Sequence, residues 1–220
     1  MNYARPDQTA SVLKNGKVLV AGGRTALIHL NSAELYEPST ETWTITGYMK
    51  IAREEHTTSM LTNGQVLVTG GTVNYIPTKS TELDARASHT ASVFAKGLVL
   101  VTGGYNDSII LNSAELYDPL TRVWTMTGSM NNKRYLHTAC VLTNGKVLVT
   151  GGETGSSELN SAELYDPSTG SWTLTDSMNN ARQWHTATVL NNGNVLVTGG
   201  ASRSVSLKSS ELYDSSQTLI

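Results

Sequence analysis

Gly145-Lys146-Val147-Leu148-Val149-Thr150-Gly151-Gly152 reads as one short strand held between two turns. Asn144 stands before it, and Asn-Gly is the strongest short hairpin signal because both residues tolerate the positive φ of a tight turn. The Val-Leu-Val run has no polar face, as expected of a strand buried on both sides. The stretch recurs as Gly16–Gly23 and Gly64–Gly71. Gly pairs close it at Gly22-Gly23, Gly70-Gly71, Gly103-Gly104, Gly151-Gly152 and Gly199-Gly200, spaced 48, 33, 48 and 48 residues apart. A fixed period of this size marks a repeat architecture.

Working outward from Gly145, a full period carries four strand signals. The first lies near Leu136–Thr143 and the second near Lys146–Thr150. The third lies near Ser161–Tyr165 and ends in Asp166-Pro167-Ser168-Thr169-Gly170, a turn cluster. The fourth lies near Ser171–Thr175 and carries Trp172. Repeated four-stranded antiparallel units predict an all-β protein of the β-propeller class.

Each complete period places a Tyr after the Gly pair and a Trp seven residues further on: Tyr36/Trp43, Tyr117/Trp124 and Tyr165/Trp172. An Arg-x-x-His-Thr segment or close variant opens each repeat after the first, at Arg53, Arg86, Arg134 and Arg182. With the Gly pairs, these features resemble the kelch-repeat family over essentially the whole chain. The resemblance implies a propeller of five blades, at about 1–50, 51–84, 85–131, 132–179 and 180–220, forming one domain. The Gly pairs, the Tyr/Trp pairs and Tyr213 are then expected to serve packing between blades.

Two blades are trimmed. Ser80-Thr81-Glu82-Leu83-Asp84 aligns with the third strand, but Asp84 runs straight into Ala85-Arg86, so blade two lacks its outer strand. In blade five Ile220 falls where the Trp would stand. Met1 aligns with Met178, past a fourth strand, so no N-terminal strand is expected to close a ring. Open blade edges make self-association an expectation, since unpaired strand edges template pairing.

Composition narrows the function. Charged residues are 15% of the chain and the net charge is −2, without the basic face that nucleic-acid binding requires. No apolar run is long enough for a membrane span and no leader is visible, so a cytoplasmic location is expected. Cys140 is the only cysteine, in a slot held elsewhere by Ser11, Ser59, Ser92 and Thr188. Metal and cofactor sites are not expected, and no catalytic motif is present.

Recurring Arg5, Arg53, Arg86, Arg134 and Arg182, and His56, His89, His137 and His185, are expected to ring one mouth of the propeller. Resemblance to peptide-binding kelch propellers implies that such arginines face a ligand. A carboxylate-bearing peptide would suit them. The segments that differ between repeats follow each Arg and each Gly pair; a repeated frame with unrepeated loops suits a binding surface. The expected binding set is Arg53, Arg86, Arg134, Tyr135, Arg182 and Trp184, and the expected partner a protein or peptide. A non-enzymatic interaction scaffold is the leading expectation. The alternatives are a galactose-oxidase-like or glycan-processing enzyme domain and a partial repeat array without independent activity.

Overall fold

The computed structural model describes residues 1–74, 76–77 and 85–215. It is all-β, built from small antiparallel sheets of propeller-blade type. The chain divides into two compact units, Met1–His89 and Thr90–Ile220.

The first unit holds blade one and the described part of blade two. Blade one is a four-stranded meander of Thr9–Val12, Val18–Ala21, Ser32–Glu37 and Thr42–Tyr48. Blade two pairs Thr57–Met60 with Val66–Thr69 and adds a hairpin of Thr72–Val73 and Ile76–Pro77. Its expected third strand, Ser80–Asp84, lies outside the described residues, as does Ile220 of blade five.

The second unit holds blades three, four and five. Blade three contains Thr90–Val93, Val99–Thr102, Ala114–Asp118 and Val123–Met126. Blade four contains Thr138–Val141, Val147–Thr150, Ala162–Asp166 and Ser171–Thr175. The main sheet of blade five has three strands among the described residues, Thr186–Val189, Val195–Thr198 and Ser210–Tyr213.

The second strand of blade four explains why its sequence is apolar throughout. Successive side chains on a strand point to opposite faces. Val147 and Val149 enter a core with Phe94, Leu100, Met130 and Tyr165, facing blade three. Leu148 points the other way, into a core with Leu142, Met178, Val195 and Val197, facing blade five. All three are buried.

The aromatic pairs are cross-strand partners within a blade. Tyr165 opposes Trp172, with ring centroids 5.1 Å apart. The same pairing joins Tyr36 to Trp43 and Tyr117 to Trp124. The polar tips reach back one blade: Tyr165 Oη meets Thr127 Oγ1 at 2.8 Å, and Trp172 Nε1 donates to the Gly128 carbonyl at 2.8 Å. Tyr213 of blade five reaches Thr175 in the same way, at 3.1 Å.

The Gly pair of blade four faces two ways, Gly151 against Arg182 and His185 of blade five and Gly152 against Tyr135 and His137 of its own blade. Gly152 has φ +91, and a Cβ there would lie 2.6 Å from the Tyr135 carbonyl oxygen and 2.9 Å from the His137 Cβ. Conformation and space both exclude a side chain. Gly152→Ala is therefore expected to lose roughly 2–3 kcal/mol of stability, since backbone must shift to relieve the contact. The urea midpoint reads this directly, and an unchanged midpoint would contradict the packing assigned to the pair.

Candidate binding face

The segment just before the first strand organises one end of each blade. In blade four it runs Arg134-Tyr135-Leu136-His137. Each of the four positions has a distinct task.

The arginine is turned inward. Arg134 is fully buried; its Nη1 donates to the carbonyls of Gly151 and Ser161, and its Nη2 to Ser161 Oγ and to Glu163 at 2.9 Å. Arg182 repeats this with Gly199, Ser209 and Glu211, the ion pair being 2.6 Å. Arg5 does the same with Gly22, Ser32 and Glu34 at 2.9 Å. Arg53 and Arg86 are also buried, and Arg53 Nη1 donates to the Gly70 carbonyl at 2.5 Å.

Arg53, Arg86, Arg134 and Arg182, which were expected to face a ligand, are all buried. Desolvating an arginine is costly unless it is paired, and the blade supplies the partner itself. Burial pushes the Glu163 carboxyl upward. The Asn131 amides, the Asn132 N–H and Arg134 outweigh that and hold it below its ordinary value. Glu211 has the same balance, with burial opposed by Asn179, Asn180 and Arg182.

The histidines are scaffold as well. In the first unit His56 Nε2 meets Thr9 Oγ1 at 2.8 Å, and His89 Nε2 meets Thr57 at 2.9 Å and Thr69 at 3.1 Å. In the second unit His137 meets Thr90 at 3.0 Å, and His185 meets Thr138 at 2.9 Å. Each ring thus ties a blade to threonines of the blade before. Burial, with the nearby Arg53 charge, pushes His56 down to about 4 despite the Ala21 backbone. Burial, Arg86 and His56 take His89 to about 3. Burial and Arg182 take His185 to about 4, against the Thr150 backbone. These rings are neutral at pH 7.

The residue before each of these four histidines, and before Gln8 at the equivalent place in blade one, is left-handed: Asp7, Glu55, Ser88, Leu136 and Trp184 have φ between 50 and 58. Left-handed non-Gly residues are uncommon, and bulky ones are outliers that mark imposed conformation. Their backbones link blade to blade. Within the first unit Glu55 N–H donates to Asp7 O, and Ser88 N–H to Glu55 O. Within the second, Trp184 N–H donates to Leu136 O at 3.3 Å. Within each unit this backbone link repeats, whereas the side chains on it differ from blade to blade.

In blades two, four and five the residue after the arginine pairs with the residue after the Gly pair of the same blade. Tyr135 bridges Glu153, Gln183 bridges Ala201, and Glu54 bridges Thr72. Their side chains also reach between blades. In the first unit Arg24 lies 2.8 Å from Glu54, with His29 at 3.1 Å from the same carboxylate. In the second, Tyr105 meets Tyr135 edge to face at 5.8 Å.

Small hairpins flank this band, and they were read from sequence only as variable loops. Tyr105–Asn106 pairs with Ile109–Ile110, and Ala201–Ser202 with Val205–Ser206. Ile109 and Val205 stand at the same place in their hairpins and are exposed, as is Ile76 in blade two. Trp184 is 64% exposed. Tyr135 is half-buried against Tyr105, so the two aromatics of the expected set occupy this end of blades four and five while the arginines lie beneath it.

Among the described residues, no group of three His, Cys, Asp or Glu is placed to hold a metal ion. Burial raises the Cys140 thiol above its ordinary value, which suits a packing residue and not a nucleophile. No helix among the described residues is long and apolar enough to cross a membrane.

Comparison with protein families agrees with this geometry. No curated protein matches the chain. The Kelch motif matches residues 7–50, and the KLHDC2/KLHL20/DRC7 Kelch-repeats domain matches residues 72–218, well over half of the chain. The buried Arg–Glu pairs, interlocking Gly pairs and Tyr/Trp strand pairs are repeat features, and the chain belongs to the kelch-repeat family.

Proposed function

We propose that this chain is a protein-interaction module that holds a peptide segment of its partner at the loop-bearing end of its blades. Kelch-repeat domains generally act as interaction scaffolds. The choice of end rests on one observation above the rest: Trp184 is 64% exposed while held at φ 54. A large ring left in water at a strained position does nothing for the blade. Aromatics of this kind are the commonest interface anchors. Leu136 and Tyr135 adjoin it in the neighbouring blade, and exposed Val205 and Ile109 extend the apolar surface within the second unit.

A displayed peptide library selected on the chain tests this. Selected peptides are expected to lose tenfold or more in affinity for Trp184→Ser, as truncating an interface anchor does. Lys146→Ala, at the opposite end of blade four, is expected to change nothing. Peptides that ignore Trp184→Ser but depend on Lys146 would overturn the reading.

A further inference from the structure

We infer that the band between blades three, four and five recognises a cationic side chain, a lysine or arginine of the bound segment. This rests on the reading that the loop-bearing end binds a peptide.

The inference comes from what the band offers once the arginines are accounted for. Their guanidiniums are buried and committed to carbonyls and to Glu163 and Glu211, so they present no charge to an anion. The groups above them are of the opposite kind. Glu153 is the antiparallel partner of Tyr135, which sets the two side chains on one face of the pair. No ion pair neutralises Glu153 among the described residues. Tyr105 and Tyr135 meet at 78°, so their planes form a corner. A ring face attracts a cation through its quadrupole.

Gln183 adds a second acceptor. It is 93% buried by complement of its 7% exposure, yet its Oε1 has no hydrogen-bond partner. A buried polar atom without a partner is costly, and a ligand donor would remove that cost. One step of the repeat joins the residue after a Gly pair to the residue after the next arginine. Arg24–Glu54 and Tyr105–Tyr135 both follow it. By that step Glu153 is the counterpart of Gln183.

Aromatic faces, a carboxylate and an unused carboxamide oxygen thus occupy consecutive positions of one band. A flexible stem ending in N–H donors and a positive charge satisfies all three. A carboxylate ligand satisfies none. Arg203 lies at the neighbouring hairpin turn, where Glu158, the antiparallel partner of Glu153, accepts its backbone N–H at 2.7 Å and feels its charge.

The experiment uses the full chain labelled with 15N and four acetylated peptides, identical except for a central Arg, Lys, Leu or Glu. The Arg and Lys peptides are expected to shift the Gln183 side-chain amide and the Trp184 indole, binding at least fivefold tighter than the other two. Glu153→Gln and Tyr135→Leu are each expected to weaken them about fivefold. Glu153→Gln is nearly isosteric at a half-buried site, so it carries the test if Tyr135→Leu folds poorly. If all four peptides shift Trp184 equally and Glu153→Gln changes nothing, cation recognition is wrong while binding at this end stands. If the shifts fall instead on the Asn144-Gly145 turn at the other end, both readings fail.

Discussion

Arg134→Ala is expected to cost about 3–5 kcal/mol of folding stability, because it leaves Glu163 buried and charged without its partner. The reason is cumulative. Arg134 joins three parts of blade four: the Gly pair through Gly151, the start of the third strand through Ser161, and the strand itself through Glu163. Glu163 in turn accepts the backbone N–H groups of Asn131 and Asn132, fixing the chain that enters the blade. Losing one side chain therefore loosens the whole entrance. Arg134→Lys is expected to rescue only part of this, since an ammonium cannot reach two carbonyls, a hydroxyl and a carboxylate in one plane. Arg182→Ala is expected to cost less, because Glu211 keeps 12% side-chain exposure where Glu163 has none. Urea unfolding of the three variants gives the order. If Arg134→Ala were no worse than a surface substitution, the inward role of the arginines would be wrong.

Stability is expected to fall steeply as pH drops from 7 to 5, by roughly 2 kcal/mol for each buried ring concerned. His56 and His185 have folded values of about 4 and His89 about 3, all below the ordinary 6.5. The unfolded chain therefore takes up protons that the folded chain refuses. The contribution is fully present above pH 6.5 and is lost progressively as pH falls towards the folded values. Below pH 4.5 the carboxylates add to it in the same direction, since Glu34, Glu163 and Glu211 are held below their ordinary value when folded. His185→Gln should flatten the first part of the profile, because Gln8 already stands at the equivalent position of blade one. Denaturant midpoints at pH 7, 6 and 5 decide this. A flat profile would mean that the rings are accessible to protons in the folded state.

Much of the frame was legible because its signals are local. The Asn144-Gly145 turn, the Asp166-Pro167 turn and the unbroken Val147-Leu148-Val149 run fix strands two to four of blade four to within a residue. The first strand is shorter than expected. It begins at Thr138 because Leu136 takes φ 55, and no residue type announces that conformation. The hairpins after the Gly pairs were missed because their turns at Asp107 and at Arg203-Ser204 reach positive φ without glycine.

The binding face was legible only in part. Recurrence located Arg134 and Arg182, but recurrence carries no direction, and the side chains point into the blade. A signal was available: a glutamate follows 29 residues after Arg5, Arg134 and Arg182, which is how a buried charge finds its partner. Tyr135 and Trp184 stood out as aromatics that the blade does not need. Tyr105, Glu153 and Gln183 did not, because their meeting depends on backbone bridges and on contact between neighbouring blades.

The central claim is that the repeated residues build the frame while the unrepeated ones at one end of each blade meet the partner. Hydrogen exchange of the chain with and without a library-selected peptide tests this most directly. The account predicts slowed exchange at Tyr135-Leu136, Glu153–Glu158, Gln183-Trp184 and Ala201–Ser206, with the Asn144-Gly145 and Asn192-Gly193 turns unchanged. Protection at those turns, with the Trp184 end exchanging as before, would contradict it.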